Sequence, residues 1–334
     1  MTSAVTGIGG DETGKVSAVV VSYNHERFIS GALESVLAQT YDDIEIVVAD
    51  DGSSDGTQRV VRRFAREDPA RFRLALNPEN TGIPRNFNRA LDLCSGEFIA
   101  WLGGDDLWLP EKIEKQVSYM RVHQEVSGCH TDADVFDSDT GESLGRFSEV
   151  YGRGIGVLPE GGVELLFDVR SPMLPSTMMI RREITRGHRF DERLKYANDW
   201  LFDIGIFRGG RIGAVKEVLA RYRQHGKNVT AGTELKTTGA EEAMVALAIV
   251  SIRYPELLPL VRDRRASLYL TQMVKAIRNN NVGRARAFLR ASLKEGHRMR
   301  AALLYPVLAS GARRMIGVVQ ESERLRSLAR SFVK

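Results

Sequence analysis

Two pairs of adjacent aspartates, Asp50–Asp51 and Asp105–Asp106, are the residues of this 334-residue chain best suited to chemistry. Each pair follows a short apolar run that is typical of a buried strand, IEIVVA in the first case and FIAWL in the second. One such pair is readily explained as a helix cap or a turn. Two pairs at strand ends indicate a shared site, because carboxylates held this close need a cation or must share a proton.

A divalent metal is the expected cation, and oxygen ligands favour Mg²⁺ or Mn²⁺. Such an ion usually bridges protein carboxylates and the phosphates of a substrate. Gly9–Lys15 fits the spacing of a phosphate-binding loop, but Val16 stands where a hydroxyl is needed, and the segment precedes the first strand. Because the chain lacks a lysine-bearing phosphate loop, the metal would neutralise a diphosphate leaving group. This indicates transfer of whatever is attached to the diphosphate.

The chain around both pairs alternates apolar runs with helix-period segments. The predicted strands are Ser17–Ser22, Ile44–Ala49, Phe72–Leu76 and Phe98–Leu102, with helices between them. This order predicts an α/β fold with a mostly parallel sheet, whose sites lie beyond the carboxyl ends of the strands. We therefore expect the polar residues after the first, second and fourth strands to meet at one edge of the sheet.

Several motifs resemble those of family 2 glycosyltransferases with the GT-A fold. Residues 19–57 are similar to the opening of that family, and GEFIAWLGGDDLWLP resembles its metal-motif strand. Asn80–Gly82 with Asn86 resembles its Asn-x-Gly segment, SPMLPSTMMIRR and FDERLKYANDW its acceptor half, and YRQHGKNVT the end of its catalytic domain. The resemblance covers roughly residues 16–230. It implies a GT-A-type nucleotide-sugar-binding sandwich over residues 16–235, followed by an α-helical C-terminal region over 236–334.

The resemblance also implies roles for individual residues. The metal ligands would be Asp106 and His225, and the catalytic base would be Asp199, beside Asn198 where the family usually has an acidic residue. The residues implied to bind the donor are Ser22, Tyr23, Asn24, Asp51, Asn86 and Asp105. Asp199 would take a proton from the acceptor hydroxyl while Mn²⁺ or Mg²⁺ stabilises the departing diphosphate, with inversion at the anomeric carbon.

Some positions allow a second interpretation. His225 is equally well explained as a hydrogen-bonded structural histidine, and Trp108 either faces a sugar or packs beneath its loop. Asp137–Gly141 resembles part of a calcium loop but lacks the required glycine, so a hairpin turn is the better interpretation. Cys94 and Cys129 match no zinc spacing and are expected to be buried free thiols.

Charge divides the chain into two regions. Residues 236–334 carry 19 Lys/Arg and 7 Asp/Glu, which leaves residues 1–235 with an excess of eight acidic residues. The last basic part, Arg298–Lys334, is expected either to lie on an anionic membrane surface or to pack against protein. Nucleic acid is a disfavoured partner, because the body is acidic and has no such motif. Residues 1–15 are predicted to be a flexible leader, and no apolar run is long enough to span a membrane.

These features predict an inverting, metal-dependent glycosyltransferase that moves a sugar from a nucleoside-diphosphate sugar to a saccharide or lipid-linked saccharide. The predicted setting is cell-surface polysaccharide or glycoconjugate synthesis, in the cytoplasm, with peripheral contact to the inner face of the cell membrane as one alternative. A non-catalytic saccharide-binding or scaffold module of the same fold is a second hypothesis. A nucleotidyltransferase is a third, although residues 22–28 lack the Gly-rich basic loop such enzymes normally need.

Overall fold

The computed structural model describes residues 14–152, 158–168, 173–226, 228, 233–279 and 281–296. The chain divides into two compact units, Met1–Leu235 and Lys236–Lys334. Apart from Gly14 and Lys15, the predicted leader lies outside the described residues, and so does the basic segment Arg298–Lys334.

A nine-stranded sheet organises the described part of the first unit. Its strands are β1 (Val16–Ser22), β2 (Ile44–Asp50), β3 (Phe72–Leu76), β4 (Phe98–Gly103), β5 (Leu107–Trp108), β6 (Val126–Asp137), β7 (Ser143–Arg146), β8 (Met179–Arg181) and β9 (Arg211–Gln224). The strand order is β3-β2-β1-β4-β8-β6-β9-β5, with β7 paired to β6. The first four strands of this order are parallel, and β8 runs antiparallel to β4. The predicted mostly parallel α/β fold is confirmed.

The helices of the first unit cover the sheet because each has one apolar face. They are α1 (Ile29–Leu37), α2 (Thr57–Glu67), α3 (Ile83–Leu93), α4 (Lys112–Val122), the short α5 (Phe147–Val150) and α6 (Asn198–Phe207). In α1 the buried side chains are Ile29, Ala32, Leu33 and Val36, the spacing of one helical face. β1 and β2 are buried along nearly their whole length, as expected of parallel strands covered on both sides.

Three interpretations that the sequence left open are decided by burial and pairing. Trp108 is 3% exposed and its indole N–H donates to the carbonyl of Ser176 across 2.8 Å, so it packs beneath its loop. Cys94 and Cys129 are buried free thiols, as predicted. Asp137–Gly141 forms the turn between the antiparallel strands β6 and β7, which confirms the hairpin.

The described part of the second unit is helical. It contains α7 (Thr233–Arg253), α8 (Leu258–Arg278) and α9 (Val282–Lys294). These helices agree with the α-helical C-terminal region that the sequence predicted. None of the described helices is long and apolar enough to cross a membrane.

Candidate active site

Strand register brings three polar loops to one edge of the sheet. Ser22, the last residue of β1, pairs with Asp50 at the end of β2. On the other side of β1, Val21 pairs with Gly103 at the end of β4. The loops that follow β1, β2 and β4 therefore begin side by side, which is where parallel sheets place their ligands.

Asp50 joins the first two of these loops. Its carboxylate is fully buried and accepts hydrogen bonds from the Ser22 hydroxyl (2.8 Å), from the N–H and hydroxyl of Ser53 (2.9 and 2.5 Å), and from the Gln58 amide (2.8 Å). Ser22, predicted to bind the donor, thus uses its hydroxyl proton within the protein. The sequence singled out Asp50 as part of an acidic pair without giving it a role, and its hydrogen bonds show that it positions the loops around it.

Asp51, predicted to contact the nucleotide, is tied to the segment that precedes α3. Its Oδ1 accepts from the Asn77 amide (3.1 Å) and from the Thr81 N–H and hydroxyl (2.8 and 2.9 Å). Its Oδ2 accepts from the N–H of Gly82 (2.9 Å), whose φ of 94° suits a glycine. This carboxylate is 3% exposed, and its four hydrogen bonds hold residues 77–82 against the end of β2.

Three other predicted donor residues have different surroundings. Tyr23 is 44% exposed, so its ring is free to meet a planar ligand. Asn24 has a positive φ of 54°, and its side-chain oxygen accepts from the N–H of Ser54 across 2.9 Å. Asn86 is buried: its amide N–H donates to the carbonyl of Ala49 (3.0 Å), while its oxygen has no hydrogen-bond partner.

Asp105 stands between two imidazoles. His225 Nε2 donates to Asp105 Oδ2 across 3.0 Å, and His25 Nε2 lies 3.8 Å from the same oxygen. Desolvation opposes ionisation of this carboxyl, but the hydrogen bond with His225 and the charge of His25 prevail and lower the pKa of Asp105. Burial lowers the pKa of His25 despite the attraction of Asp105. The arrangement holds the Asp105 carboxyl group beside two imidazole rings.

Asp106, the metal ligand implied by the resemblance, is turned into the protein. Its Oδ2 accepts from the Ser176 hydroxyl (2.5 Å) and its Oδ1 from the N–H of Arg223 (3.0 Å). Burial and the neighbouring Asp105 carboxylate raise the pKa of Asp106 well above its usual value. Each of its oxygens has one internal donor, and a carboxylate oxygen can accept more than one contact, so these hydrogen bonds are compatible with metal ligation by either Asp105 or Asp106.

An aromatic and cationic cluster completes this side of the site. The ring of Phe28 stacks on His225 with centroids 4.9 Å apart, and the Arg223 guanidinium lies 4.8 Å from the same ring. Arg223 Nε also donates to the carbonyl of Asp105 (2.7 Å), and the side-chain oxygen of Asn228 accepts from the N–H of His225 (2.6 Å). Sequence reasoning missed Phe28, whose contact with His225 joins distant segments, and Asn228, whose hydrogen bonds with His225 and Arg223 are local.

Asp199, the predicted base, lies apart from these contacts. It occupies the first turn of α6, its side chain is exposed, and its Oδ1 accepts from the N–H of Trp200 (2.6 Å). Asp203, one turn later, has its pKa raised well above the usual value by burial and by the charge of Asp199. No hydrogen bond or ion pair within the described chain joins Asp199 to Asp105 or Asp106.

Asn198 stands where the family usually has an acidic residue, and its contacts are with the protein's own backbone. Asn198 is 2% exposed, and its amide donates to the carbonyl of Lys195 across 2.8 Å. Its side-chain oxygen is buried without a hydrogen-bond partner. Asn198 therefore fixes the turn that leads into α6.

A divalent metal could be held here only in part by the protein. Among the described residues, no three His, Cys, Asp or Glu side chains come together as a metal cluster. Asp105 and His225 supply an oxygen and a nitrogen at one point, and a full shell would need waters or substrate oxygens. Such incomplete protein coordination fits a Mg²⁺ or Mn²⁺ ion that is shared with phosphates.

The sequence profile described as glycosyl transferase family 2 matches residues 17–219. The chain belongs to this family. EpsE of Bacillus subtilis is 31% identical over 218 residues, which are 63% of this chain and 73% of EpsE. The Escherichia coli protein named UDP-Glc:alpha-D-GlcNAc-diphosphoundecaprenol beta-1,3-glucosyltransferase WfgD is 43% identical over 105 residues, which are 31% of this chain and 40% of WfgD. The chain is a glycosyltransferase.

Solved structures confirm the fold that the family implies. S. aureus TarS 1-349 in complex with UDP-GlcNAc superposes with a TM-score of 0.65 at 18% identity, covering 88% of this chain and 86% of that one. The mannosyltransferase PcManGT from Pyrobaculum calidifontis, in complex with GDP-Man and Mn²⁺, gives a TM-score of 0.57 at 21% identity, covering 98% and 87%. The predicted GT-A architecture is therefore confirmed.

Proposed function

We propose that this glycosyltransferase acts with inversion, using a divalent metal and a nucleoside-diphosphate sugar, on a saccharide or lipid-linked saccharide hydroxyl. The observation that carries the proposal is the Asp105 carboxyl group held between His25 and His225 at the carboxyl edge of the sheet. A carboxylate and an imidazole at one point are suited to an ion that is shared with a diphosphate. The complexes of TarS with UDP-GlcNAc and of PcManGT with GDP-Man and Mn²⁺ support this choice of donor and metal.

On the donor side, the chain's residues bind and orient the nucleotide. Exposed Tyr23 would stack on the base, while Asn24 and Asp51 form the wall beside it. We assign the metal contact to Asp105 and His225, with Asp106 holding the backbone of Arg223 in place; direct ligation by Asp106 is the alternative. A metal bound there, Mn²⁺ or Mg²⁺, would stabilise the negative charge that builds on the departing diphosphate.

On the acceptor side, Asp199 would be the general base. The acceptor hydroxyl loses its proton to the Asp199 carboxylate as its oxygen bonds to the anomeric carbon and the bond to the diphosphate breaks. The carboxylate lies exposed on the first turn of α6, where it can meet an acceptor hydroxyl and take its proton. Attack from the face opposite the diphosphate gives inversion in a single displacement.

The acceptor class and location are further parts of the proposal. WfgD is named for a diphosphoundecaprenol-linked acceptor, and this supports a lipid-linked saccharide here. Such an acceptor would lie at a membrane, so we propose a cytoplasmic enzyme that contacts the anionic inner face of the cell membrane through residues 236–334. Cell-surface polysaccharide or glycoconjugate synthesis is the corresponding role.

The donor site is tested by thermal unfolding with UDP, GDP or dTDP, with and without Mn²⁺. One nucleoside diphosphate should raise the melting temperature in a metal-dependent way, because a ligand that binds the native state stabilises it. Asp105→Asn should abolish the metal-dependent part of the rise. Asp106→Asn tests the alternative, since loss of the rise there alone would return the ligand role to Asp106. No rise with any of the three nucleotides would refute the donor-site assignment.

The base is tested by replacing Asp199 with asparagine. This variant should keep the donor-induced rise in melting temperature and lose sugar transfer, because the amide cannot accept the proton. In the wild type, transfer should be lost as the pH falls and the Asp199 carboxylate becomes protonated. Full activity of the variant would remove Asp199 as the base, and donor binding by the wild type without any transfer would favour the non-catalytic module instead.

A further inference from the structure

The chain that leads into α6 is held against α3 by side-chain contacts. Within the described range 173–226, the chain from Arg186 to Ala197 forms neither helix nor strand, and α6, which carries Asp199, begins at Asn198. Because this stretch lacks the regular backbone pairing of a helix or strand, its position depends on contacts with side chains. Those contacts therefore help to decide where α6 begins.

Asn88 of α3 pairs with the backbone of Phe190 in both directions. The N–H of Phe190 donates to Asn88 Oδ1 across 2.9 Å, and Asn88 Nδ2 donates to the Phe190 carbonyl across 3.0 Å. The side-chain amide thus does for one residue what a neighbouring strand would do. An aspartate at position 88 would keep only the acceptor, and a leucine of similar size would supply neither group.

The ring of Phe190 extends this contact to α6. Phe190 is 4% exposed, and its ring stacks on Phe202 of α6 with centroids 4.0 Å apart and planes at 10°. On the α3 side, the ring of Phe87 lies 4.7 Å from Phe190. Phe202 and Asp199 are three positions apart on α6, so they are neighbours on the helix surface. A shift of Phe190 would therefore move the helix that carries Asp199.

The other end of α3 belongs to the donor site. The N–H of Gly82, immediately before α3, donates to Asp51 across 2.9 Å, and the Asn86 amide donates to the carbonyl of Ala49 across 3.0 Å. α3 thus meets the predicted nucleotide contacts near its beginning and the chain before α6 at Asn88. The amide of Asn88 makes none of the contacts on the nucleotide side.

Two ion pairs also join α3 to this stretch, but they are exposed. Arg85 lies 2.9 Å from Glu192, and Arg189 lies 2.6 Å from Asp92. Exposed ion pairs contribute little, because the surrounding water weakens the attraction and long side chains lose freedom. The amide of Asn88, in contrast, bonds to the backbone of a buried residue, so it is the polar contact that matters most here.

We propose that Asn88 is a positioning residue for sugar transfer. By holding the backbone of Phe190, whose ring stacks on Phe202, it sets the place of Asp199 relative to the donor. This inference rests on the proposed function, in which Asp199 is the base. A displacement of reacting groups by about 1 Å can slow a reaction about a hundredfold. Loss of the pairing should therefore slow transfer and leave nucleotide binding unchanged.

Steady-state kinetics of the full chain test this role. The release of nucleoside diphosphate is measured from UDP-glucose, UDP-GlcNAc, GDP-mannose and dTDP-glucose, with GlcNAc-diphosphoundecaprenol or water as the acceptor. In Asn88→Leu, kcat should fall at least about tenfold, while the KM for the donor and the nucleoside diphosphate bound per chain stay within about twofold. A folding defect alone would lower the amount bound together with the rate.

A second variant and a matched control accompany the leucine variant. Asn88→Asp keeps the acceptor for the N–H of Phe190 but sets a carboxylate against its carbonyl, so kcat should fall at least about threefold even if Asn88→Leu does not fold. Arg85→Gln breaks an exposed link between the same two segments, and its kcat should stay within about twofold of the wild type.

The outcomes separate this inference from the proposed function. Wild-type kcat in a folded Asn88→Leu or Asn88→Asp variant would overturn the inference alone, and so would a rise in donor KM at unchanged kcat. A kcat loss in Arg85→Gln as large as that in Asn88→Leu would also overturn it, because the ion pair would then position the segment. A wild type that releases no nucleoside diphosphate would refute the proposed function and this inference with it.

Discussion

Lys112 gives the sharpest prediction, because a lysine is buried here without an acidic partner among the described residues. Its side chain is 0% exposed, Nζ donates to Gln116 Oε1 across 2.6 Å, and the ammonium lies 4.3 Å from the centroid of the Trp108 ring. Desolvation by burial lowers the pKa of Lys112 to about 7. The buried lysine therefore changes its charge within the range in which the protein is handled.

The magnitude follows from proton linkage. In the unfolded chain the lysine keeps a pKa of about 10.4, so between about pH 7 and 10 the unfolded state binds more protons than the native state. The free energy of unfolding must then rise with pH in that window, and Lys112 contributes about 3 kcal/mol of this rise between about pH 6 and 9. Lys112→Met removes the titrating group, so its stability relative to the wild type should fall by that amount over the same interval.

Urea unfolding followed by tryptophan fluorescence is the assay, performed at several pH values. All three tryptophans, Trp101, Trp108 and Trp200, belong to the unit that contains Lys112, so the signal reports on that unit. Lys115→Met is the matched control: it is on the same helix, and its ion pairs with glutamates raise its pKa, so it should add no slope below about pH 9. Identical pH slopes for Lys112→Met and the wild type would refute the reasoning.

Three further predictions concern packing around the site. Ser176→Ala removes the hydroxyl donor from the buried carboxylate of Asp106 and should lower the free energy of unfolding by about 1–3 kcal/mol in urea; an unchanged midpoint would contradict it. Gly52 has a φ of 70°, and Gly52→Ala would place a Cβ 2.1 Å from the carbonyl carbon of Glu79. The substitution should lower the melting temperature by at least the equivalent of about 1 kcal/mol. An unchanged melting temperature would show that the loop can shift. Burial raises the pKa of each of the two cysteine thiols to about 12, so Ellman's reagent should label the native protein only as fast as it unfolds; prompt labelling would show them accessible.

The fold was predictable to a large extent because local sequence patterns indicate the strands and helices of its first half. The four parallel strands begin within a few residues of the predicted positions, and helices lie between them as predicted, since apolar runs and helical periodicity both reflect burial on the sheet. The edge at which the polar loops meet was also predictable, because it depends only on the parallel direction of the strands.

The orientation of neighbouring side chains within a loop was not predictable. Asp105 and Asp106 are adjacent, yet one meets His225 and the other meets Ser176 and Arg223. These partners lie 70 to 120 positions away along the chain, so no local sequence pattern predicts them. The different roles of the adjacent Asp50 and Asp51 were also not predictable. Hydrogen bonds with Ser22 and Gln58 give Asp50 a structural role, but its position in the sequence does not distinguish it from Asp51.

The pairing of β8 with β4 has a consequence for how the protein folds during its synthesis on the ribosome. β4 ends at Gly103, but the strand that covers its outer edge begins only at Met179. At about 5–20 residues per second, a ribosome would leave that apolar edge open for roughly 4–15 s. An uncovered strand edge recruits other chains, so synthesis of this enzyme has an interval in which shielding by a chaperone matters. A fragment cut after β4 would remain in that state permanently and should aggregate rather than fold as a nucleotide-binding half.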